Sequence, residues 1–323
     1  MDKILITGCA GFIGFHISKV LLKQNKKIFG IDNLNNYYDV KLKKERLKIL
    51  KKNKKFKFYK IDIFNKKIII ENFKKQKYSH IIHLAAQAGV RYSIKFPEQY
   101  VRTNLVGFFN ILEASKNINV KHLIFSSSSS VYGQSNLFPL KENFNTDQPA
   151  SFYAATKKSN EVMGYSYSSL HGLPLTVLRL FTVYGPFGRP DMSLFDFVKR
   201  IINNKKIYLF NKGNHQRDFT YIDDVVHAIQ KIIKKPPREK IPFRILNLAS
   251  GKPINLIYYL NIIEKNLQLK ARKKFLELQK GDVIKTHASL KKIRKLFNYK
   301  PKTNLKIGIK KYLDWYTNFI KKS

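Results

Sequence analysis

The chain contains one cysteine, few acidic residues and no long apolar run among its 323 residues. Because Cys9 stands alone, an internal disulfide and a multi-cysteine metal site are excluded, so we expect no metal and a reducing compartment. No apolar run approaches the roughly 20 residues that cross a bilayer. The residues after Met1 lack signal-peptide architecture. We therefore expect a cytoplasmic protein with no membrane partner.

Acidic residues are scarce beside basic ones, with 21 Asp and Glu against 62 Lys and Arg, which gives a formal charge of +41. A compact basic patch would indicate nucleic acid. The lysines are instead scattered through every region of the sequence. We therefore expect no nucleic-acid partner, and we expect the charge to attract anionic small molecules.

Glycines follow the first apolar run, residues 3–8, and a stretch of helical periodicity follows them. Gly8 permits a tight turn, Gly11 lets the backbone approach a pyrophosphate, and Gly14 lets helix and strand pack closely. The helix start, with Phe12 and Ile13, offers free N–H groups to phosphates. The spacing is one residue longer than G-x-G-x-x-G, but strand, glycine turn and helix are the context of a dinucleotide-binding site.

The second predicted strand, residues 27–31, ends at Asp32. An acid at this place can bind the adenosine ribose hydroxyls and would repel a 2′-phosphate. The sequence therefore predicts NAD rather than NADP as the cofactor.

Further strands are predicted at residues 58–62, 80–84, 121–126 and 174–180, with a helix from about 98 to 115. Their alternation with helices predicts an α/β, Rossmann-type doubly wound parallel sheet. Ligands bind beyond the carboxyl ends of such strands. Further cofactor-binding candidates at those ends and on the helix are Asn33, Asp62, Ile63, Leu84, Ala85, Ala86, Asn104 and Ser126.

Tyr153 and Lys157 are four residues apart, so on a helix they share one face. An ammonium beside a phenol favours the phenolate and lowers the pKa of the tyrosine. Ser128, within the serine run 126–130, can share a proton with a substrate hydroxyl. The set predicts oxidation of a hydroxyl to a carbonyl beside a hydride acceptor.

Periodicity becomes less regular after residue 180. We expect residues 1–180, with about 215–248, to form the NAD-binding domain. A smaller, interwoven substrate domain is expected from about 181–214 and 249–323.

Six ordered motifs give the chain a resemblance to the extended short-chain dehydrogenase/reductase family, in its nucleotide-sugar branch. Residues 32–39, 88–93 and 181–192 resemble the UDP-glucuronate 4-epimerase type within that branch. The six motifs are Thr7–Gly14, Asp32, Leu84–Ala86, Ser126–Ser128, Tyr153–Lys157 and Arg217–Phe219.

The resemblance implies an NAD-dependent UDP-sugar 4-epimerase, a homodimer, that acts through a 4-keto sugar. It makes Tyr153 the base for the O4 hydroxyl, with help from Ser128 and Lys157, and NAD the tightly held hydride carrier. The substrate-binding residues that it implies are Ser128, Ser129, Ser130, Thr182, Arg189, Arg217 and Asp282.

Within the branch, related dehydratases carry an Asp-Glu pair after the active-site serine or threonine, and uronate decarboxylases carry a glutamate. Here Ser129 and Ser130 stand at that place, which favours an epimerase. Thr182 matches a position that is usually asparagine in UDP-galactose epimerases, which favours a uronate. UDP-glucose and UDP-N-acetylglucosamine stay open as alternatives, as does a non-catalytic NAD- or nucleic-acid-binding protein on the same fold.

Overall fold

A computed structural model describes residues 2–279 and 281–320 of the chain. Met1, Lys280 and residues 321–323, which fall within the predicted domain ranges, lie outside the described residues. The strands are β1 (Lys3–Thr7), β2 (Lys27–Asp32), β3 (Phe56–Lys60), β4 (His80–His83), β5 (His122–Ser128), β6 (Leu175–Leu180), β7 (Thr182–Tyr184), β8 (Lys206–Leu209), β9 (Gln216–Tyr221), β10 (Phe243–Leu248), β11 (Pro253–Asn255) and β12 (Arg272–Phe275).

Helices alternate with these strands through the first half of the chain and cluster towards its end. They are α1 (Phe12–Lys23), α2 (Val40–Lys51), α3 (Lys66–Gln76), α4 (Val90–Lys95), α5 (Pro97–Tyr100), α6 (Gly107–Lys116), α7 (Phe152–His171), α8 (Ser193–Ile202), α9 (Ile222–Ile232), α10 (Leu256–Leu267), α11 (Lys291–Phe297) and α12 (Leu305–Ile320). Across residues 2–279 and 281–320, no helix combines the length and the apolar character needed to cross a membrane.

The centre of the molecule is a seven-stranded parallel sheet in the order β10-β6-β5-β4-β1-β2-β3. Its inner strands are apolar and buried because helices cover both faces. The strand order reverses between β1 and β4, and such a switch point opens a crevice at the carboxyl ends of the strands. The predicted doubly wound fold is confirmed.

Two strands end two residues away from the predicted position. β3 ends at Lys60, because Asp62 begins a turn in which its side chain accepts a hydrogen bond from the Phe64 N–H at 2.9 Å. β5 continues beyond the predicted Ser126, because Ser127 and Ser128 remain paired with β6. Ser128 is therefore the last residue of a buried strand.

The predicted helix at 98–115 is interrupted. α5 runs into a π-helical turn, Val101–Val106, before α6 begins. Such turns are frequent at functional sites, and this one carries Asn104. Helix α4, just before it, was not predicted from the sequence.

The second half of the chain contributes to two small sheets and returns to the large one. β7, β9 and β11 form one small sheet, and β8 pairs with β12. α9 packs against α1, and β10 completes the central sheet. The domain boundaries stay a prediction. Residues 215–248 were assigned to the NAD-binding domain, and of their two strands β10 lies in the central sheet whereas β9 lies in a small one.

Candidate active site

A cavity of about 420 Å³ lies at the carboxyl ends of the central strands and extends to the small sheets. It gathers nearly every residue that the sequence analysis singled out. The predicted residues in its wall are Gly8, Gly11, Phe12, Ile13, Gly14, Asp32, Asn33, Ile63, Leu84, Ala85, Ala86, Ser126, Ser128, Ser129, Ser130, Tyr153, Lys157, Thr182, Arg189, Arg217 and Asp282.

The glycine turn between β1 and α1 is packed too closely for side chains. A Cβ on Gly8 would lie 2.8 Å from the Ala85 nitrogen, and one on Gly11 would lie 2.9 Å from the Gly8 oxygen. A Cβ on Gly14 would overlap that same carbonyl oxygen. Because Gly11 caps α1 without a side chain, the first N–H groups of the helix face the cavity uncovered.

Asp32, at the end of β2, is buried at the cavity wall. Its oxygens accept hydrogen bonds from the Ala10 N–H at 3.1 Å and the Leu34 N–H at 2.9 Å. Burial raises the pKa of its carboxyl, while these bonds and the cations of Lys43 and Arg46 oppose that rise. The carboxylate is thus fixed in place by backbone donors.

Asp62 and Asn104 lie outside the cavity wall, so their predicted contacts with the cofactor stay predictions. Asp62 accepts a hydrogen bond from the Asn33 side chain at 3.3 Å. Asn104 is buried and bonds both backbone groups of Gln87, at 2.8 and 3.0 Å, and the Thr156 hydroxyl at 3.0 Å. Both side chains hold neighbours that do line the cavity or support it.

Tyr153 stands in the first turn of α7, which Ser151 caps by accepting from the Ala154 N–H at 3.2 Å. Burial raises the pKa of the Tyr153 phenol, the Ser128 hydroxyl and the nearby Arg189 cation lower it, and the Asp191 carboxylate raises it. The structure thus places the predicted tyrosine and serine next to each other.

Lys157 lies one turn after Tyr153 on α7 and is bonded to β5. Its ammonium donates to the Ser126 carbonyl oxygen at 2.8 Å. Burial lowers the pKa of Lys157 to about 8, and the Glu161 carboxylate opposes this effect. The strand carbonyl thus holds the ammonium, and the effect of Lys157 on the pKa of Tyr153 stays a prediction.

The segment after Ser128 carries hydroxyl groups, those of Ser129 and Ser130. The dehydratases and decarboxylases of the resemblance carry carboxylates at this place. Ser128 donates to the Ser130 hydroxyl at 3.1 Å and accepts from the Ser130 N–H at 3.2 Å. Among the described residues, only two carboxylates line the cavity, those of Asp32 and Asp282. Neither adjoins this segment in sequence, so the site has no side chain placed there to remove a carbon-bound proton.

Arg189 reaches the cavity from the loop between β7 and α8. It forms a two-point ion pair with Asp191, which also accepts a hydrogen bond from the Tyr37 hydroxyl at 3.0 Å. Although burial alone would lower the pKa of Arg189, the Asp191 carboxylate raises it above the ordinary value. Asp191 and Tyr37 therefore fix a permanent cation near Tyr153.

The far end of the cavity carries a second arginine. Arg217 on β9 donates to the Ile284 carbonyl oxygen at 2.9 Å, and burial lowers its pKa while Asp282 opposes that shift. Asp282 forms an ion pair with Arg91 at 3.6 Å. A planar guanidinium at this place suits two phosphate oxygens.

A sequence profile of the NAD dependent epimerase/dehydratase family matches residues 4–249. The chain belongs to this family. Its curated relatives include Protein CapI of Staphylococcus aureus, which is 45% identical over 99% of this chain and 100% of its own length. A UDP-glucuronate 4-epimerase of Thermodesulfobacterium geofontis is 44% identical over 98% of this chain and 96% of its own length.

Solved structures of the same family superpose over almost the whole chain. The UDP-glucuronic acid 4-epimerase of Bacillus cereus, solved with UDP-glucuronic acid and NAD, has a TM-score of 0.92 and 32% identity, covering 98% of this chain and 99% of its own. A UDP-glucose 4-epimerase of Thermotoga maritima, solved with UDP-glucose, has a TM-score of 0.88 and 28% identity over 98% and 99%.

The residues of this epimerase/dehydratase family member fit NAD. The glycine turn leaves room only for backbone beneath a pyrophosphate, and the uncovered N–H groups of α1 face that place. Asp32 presents a carboxylate where adenosine ribose hydroxyls bind, and it would repel a 2′-phosphate. Residues 84–86 add a wall of small side chains.

Some cavity residues were missed in the sequence. Tyr37 lies in residues 32–39, a segment whose family resemblance was noted. Its position shortly after β2 could therefore have marked it as a cavity residue. Lys43 also lines the cavity and donates to Asn35 at 2.6 and 2.7 Å. Nothing distinguishes Lys43 in the sequence, because lysines surround it on the same helix.

Proposed function

We propose that this chain catalyses the NAD-dependent 4-epimerisation of a UDP-sugar, with UDP-glucuronate and UDP-galacturonate as its substrate pair. The observation that carries the proposal is the Tyr153–Ser128 pair beside the hydroxyls of Ser129 and Ser130, in a cavity wall whose carboxylates, among the described residues, are Asp32 and Asp282. The epimerases of T. geofontis and B. cereus that the chain resembles bear the same activity in their names.

NAD, when bound, supplies the acceptor for the C4 hydrogen and a positive ring that favours the Tyr153 phenolate. Tyr153 then takes the O4 proton, and its hydrogen bond with Ser128 holds the receiving oxygen. Lys157, through the Ser126 carbonyl, keeps helix and strand together beneath the reacting oxygen. The same groups return the proton after the sugar has turned, so no net oxidation occurs.

A 4-keto uronate is a β-keto acid that loses CO₂ readily, so the site must bind its carboxylate without promoting that loss. Ser129, Ser130 and Thr182 line the cavity and offer hydroxyl donors. Hydrogen bonds from these hydroxyls can hold the carboxylate out of the alignment with the C4 carbonyl in which the C5–C6 bond breaks and CO₂ leaves. We propose that these three residues bind the uronate carboxylate, and that Arg189 adds a cation beside it.

The nucleotide end is proposed to lie against Arg217 and Asp282. The guanidinium suits the UDP pyrophosphate. The Asp282 carboxylate, already close to Arg91 at 3.6 Å, suits the uridine ribose hydroxyls. Arg217→Ala is then expected to weaken UDP-sugar binding more than turnover.

A neutral UDP-sugar is the second candidate substrate. Solved relatives include epimerases of UDP-glucose and UDP-N-acetylglucosamine, with TM-scores of 0.88 and identities of 28% and 27%. The hydroxyl-lined segment would then bind a sugar hydroxymethyl group in place of the carboxylate.

We propose a cytoplasmic homodimer that associates through α7. Val162 and Tyr165 are three residues apart and adjacent on that helix, and Leu170 follows two turns after Val162. Of their surfaces, 56%, 48% and 73% are exposed. Exposed apolar side chains grouped in this way mark interaction surfaces. Leu170→Asp should give a monomer in light scattering after gel filtration, and an unchanged mass would exclude this face.

The function is tested by incubating the purified protein separately with UDP-glucuronate, UDP-glucose and UDP-N-acetylglucosamine, without added NAD. Chromatography then resolves the nucleotide sugars. A galacturonate product from the first alone supports the uronate. Conversion of a neutral sugar alone supports the second candidate. If no sugar is converted even with NAD supplied, the proposed function is wrong.

A further inference from the structure

Glu161 is a buried carboxylate that the proposed mechanism does not use. It is 4% exposed and lies on α7, two turns after Tyr153. It accepts hydrogen bonds from the Ser127 hydroxyl at 2.5 Å and from Arg179 at 3.0 and 2.7 Å. Ser127 and Arg179 are each 2% exposed and are neighbours in the β5–β6 pairing. The carboxylate therefore ties α7 to two adjacent strands.

One face of α7 contacts three consecutive residues at the end of β5. Residues four apart stack along one helix face, so the positions 153, 157 and 161 form a single row. The row meets the strand in three pairs, which are Tyr153 with the Ser128 hydroxyl, Lys157 with the Ser126 carbonyl, and Glu161 with the Ser127 hydroxyl.

Resting on the proposed function, we propose that Glu161 is a positioning residue for the epimerisation. Its carboxylate fixes Ser127, and because Ser127 stands between Ser126 and Ser128, it fixes the register of both. The Ser128 hydroxyl then stays against Tyr153, and the Ser126 carbonyl stays against Lys157. Loss of this tie displaces the reacting groups without removing any of them.

Charge gives the tie a second consequence. Glu161 on its own helix and His83 on β4 interact electrostatically with Lys157, and Tyr153 lies one turn before it. Burial lowers the pKa of His83 to about 3, so that imidazole is neutral. Within the described part of the chain, Glu161 supplies the negative charge that opposes the effect of burial on the Lys157 ammonium. Arg179, across the ion pair, supplies the compensating cation.

The first test compares Glu161→Gln with the wild type. A displaced reacting group costs up to about 100-fold in turnover, so we expect kcat to fall by about 10- to 100-fold. The KM for UDP-glucuronate and the content of bound NAD should change little. Without the Glu161 charge, the pKa of Lys157 falls further, so the alkaline loss of kcat/KM should move to lower pH.

Ser127→Ala removes the same hydrogen bond from the strand side and leaves the ion pair intact. It should lower kcat in the same direction, and the double variant should lose less than the product of the two single losses, since both changes break one bond. Glu264→Gln is the matched control. Glu264 is also a buried carboxylate, bonded to Lys273 and the Ala271 N–H, but it lies outside the cavity wall.

A readout independent of catalysis is the NMR titration of ¹³C-labelled lysine side chains, with Lys157→Arg assigning the Lys157 signal. We expect that signal to titrate at lower pH in Glu161→Gln than in the wild type.

Wild-type kcat with an unchanged Lys157 titration would overturn the inference, as would equal losses of kcat in Glu264→Gln. If Glu161→Gln does not fold, a wild-type kcat for Ser127→Ala decides against the inference. A wild type inactive on every UDP-sugar refutes the proposed function, while the titration still decides the charge effect.

Discussion

The hydroxyl of Tyr153 lies where burial opposes its ionisation, and two groups work against that burial. The Ser128 hydroxyl lowers the pKa of the phenol, and so does the positive charge of Arg189, which Asp191 holds in place. A further positive charge beside the tyrosine would favour its phenolate, the form that takes a proton. In our account the bound cofactor brings that charge.

Replacing the tyrosine tests its proposed role directly. Tyr153→Phe keeps the ring and its packing but removes the oxygen that takes the O4 proton. A positioned acid–base group is worth about 10²–10⁴-fold, so we expect kcat to fall by that factor while bound NAD, measured after denaturation, remains. A variant that keeps most of its activity would show that another group takes the proton.

The pH dependence of kcat/KM tests the state of Lys157. Burial lowers the pKa of its ammonium in the free protein to about 8. Because the charged form is the one that helps ionise Tyr153, activity should be present below that pH and fall as the pH rises through it. Kinetics between pH 6 and 10 should show the decline. A profile that stays flat to pH 10 would contradict this role.

Residue types and spacing sufficed to predict most of the cavity wall, but not the partners of each group. Tyr153 and Lys157 follow from an interval of four, yet the interval could not show that the Ser126 carbonyl takes the ammonium. The cofactor contact of Asn104 stays a prediction, but the sequence could not show that its side chain bonds Gln87 and Thr156. Such choices depend on which polar groups tertiary packing brings within reach.

The turn between β1 and α1 has room only for glycine at three of its positions. Its three glycines approach backbone atoms of the turn itself or of residues 84 and 85. The sequence spacing was enough to predict this element. By contrast, the end of β5 was placed two residues early, because serines have no strand periodicity and only pairing with β6 extends the strand.

Gly14→Ala should disable the turn. Its added methyl group would overlap the Gly8 carbonyl oxygen, which is backbone and cannot move aside cheaply. Overpacking of this kind costs about 1–3 kcal/mol, so we expect a lower melting temperature and loss of bound NAD. Gly172→Asn serves as control, since Gly172 ends α7 in a left-handed conformation with open space around it. Equal NAD content in both variants would exclude the steric argument.

The whole molecule combines a sheet that the sequence predicted with small sheets that it did not. Long apolar strands alternating with helices specify the parallel order, and short strands such as β7 and β11 carry too few residues for a pattern. The whole chain carries a formal net charge of +41. A field of one sign concentrates anionic ligands near the protein and weakens as salt screens it.

Salt should therefore affect substrate capture more than chemistry. Between about 0.01 and 0.15 M ionic strength the Debye length falls from about 30 to about 8 Å. We expect the KM for UDP-glucuronate to rise several-fold over this range while kcat, measured at saturation, stays constant. A KM independent of salt would show that the charge has no part in attracting the substrate.

The most direct measurement uses UDP-glucuronate with deuterium at C4, incubated with the purified protein and no added NAD. If C4 is oxidised and reduced again within one closed site, the UDP-galacturonate formed should keep its deuterium at C4, as NMR and mass spectrometry would show. Loss of that deuterium to water, or product formation only through incorporation of solvent hydrogen, would contradict the account.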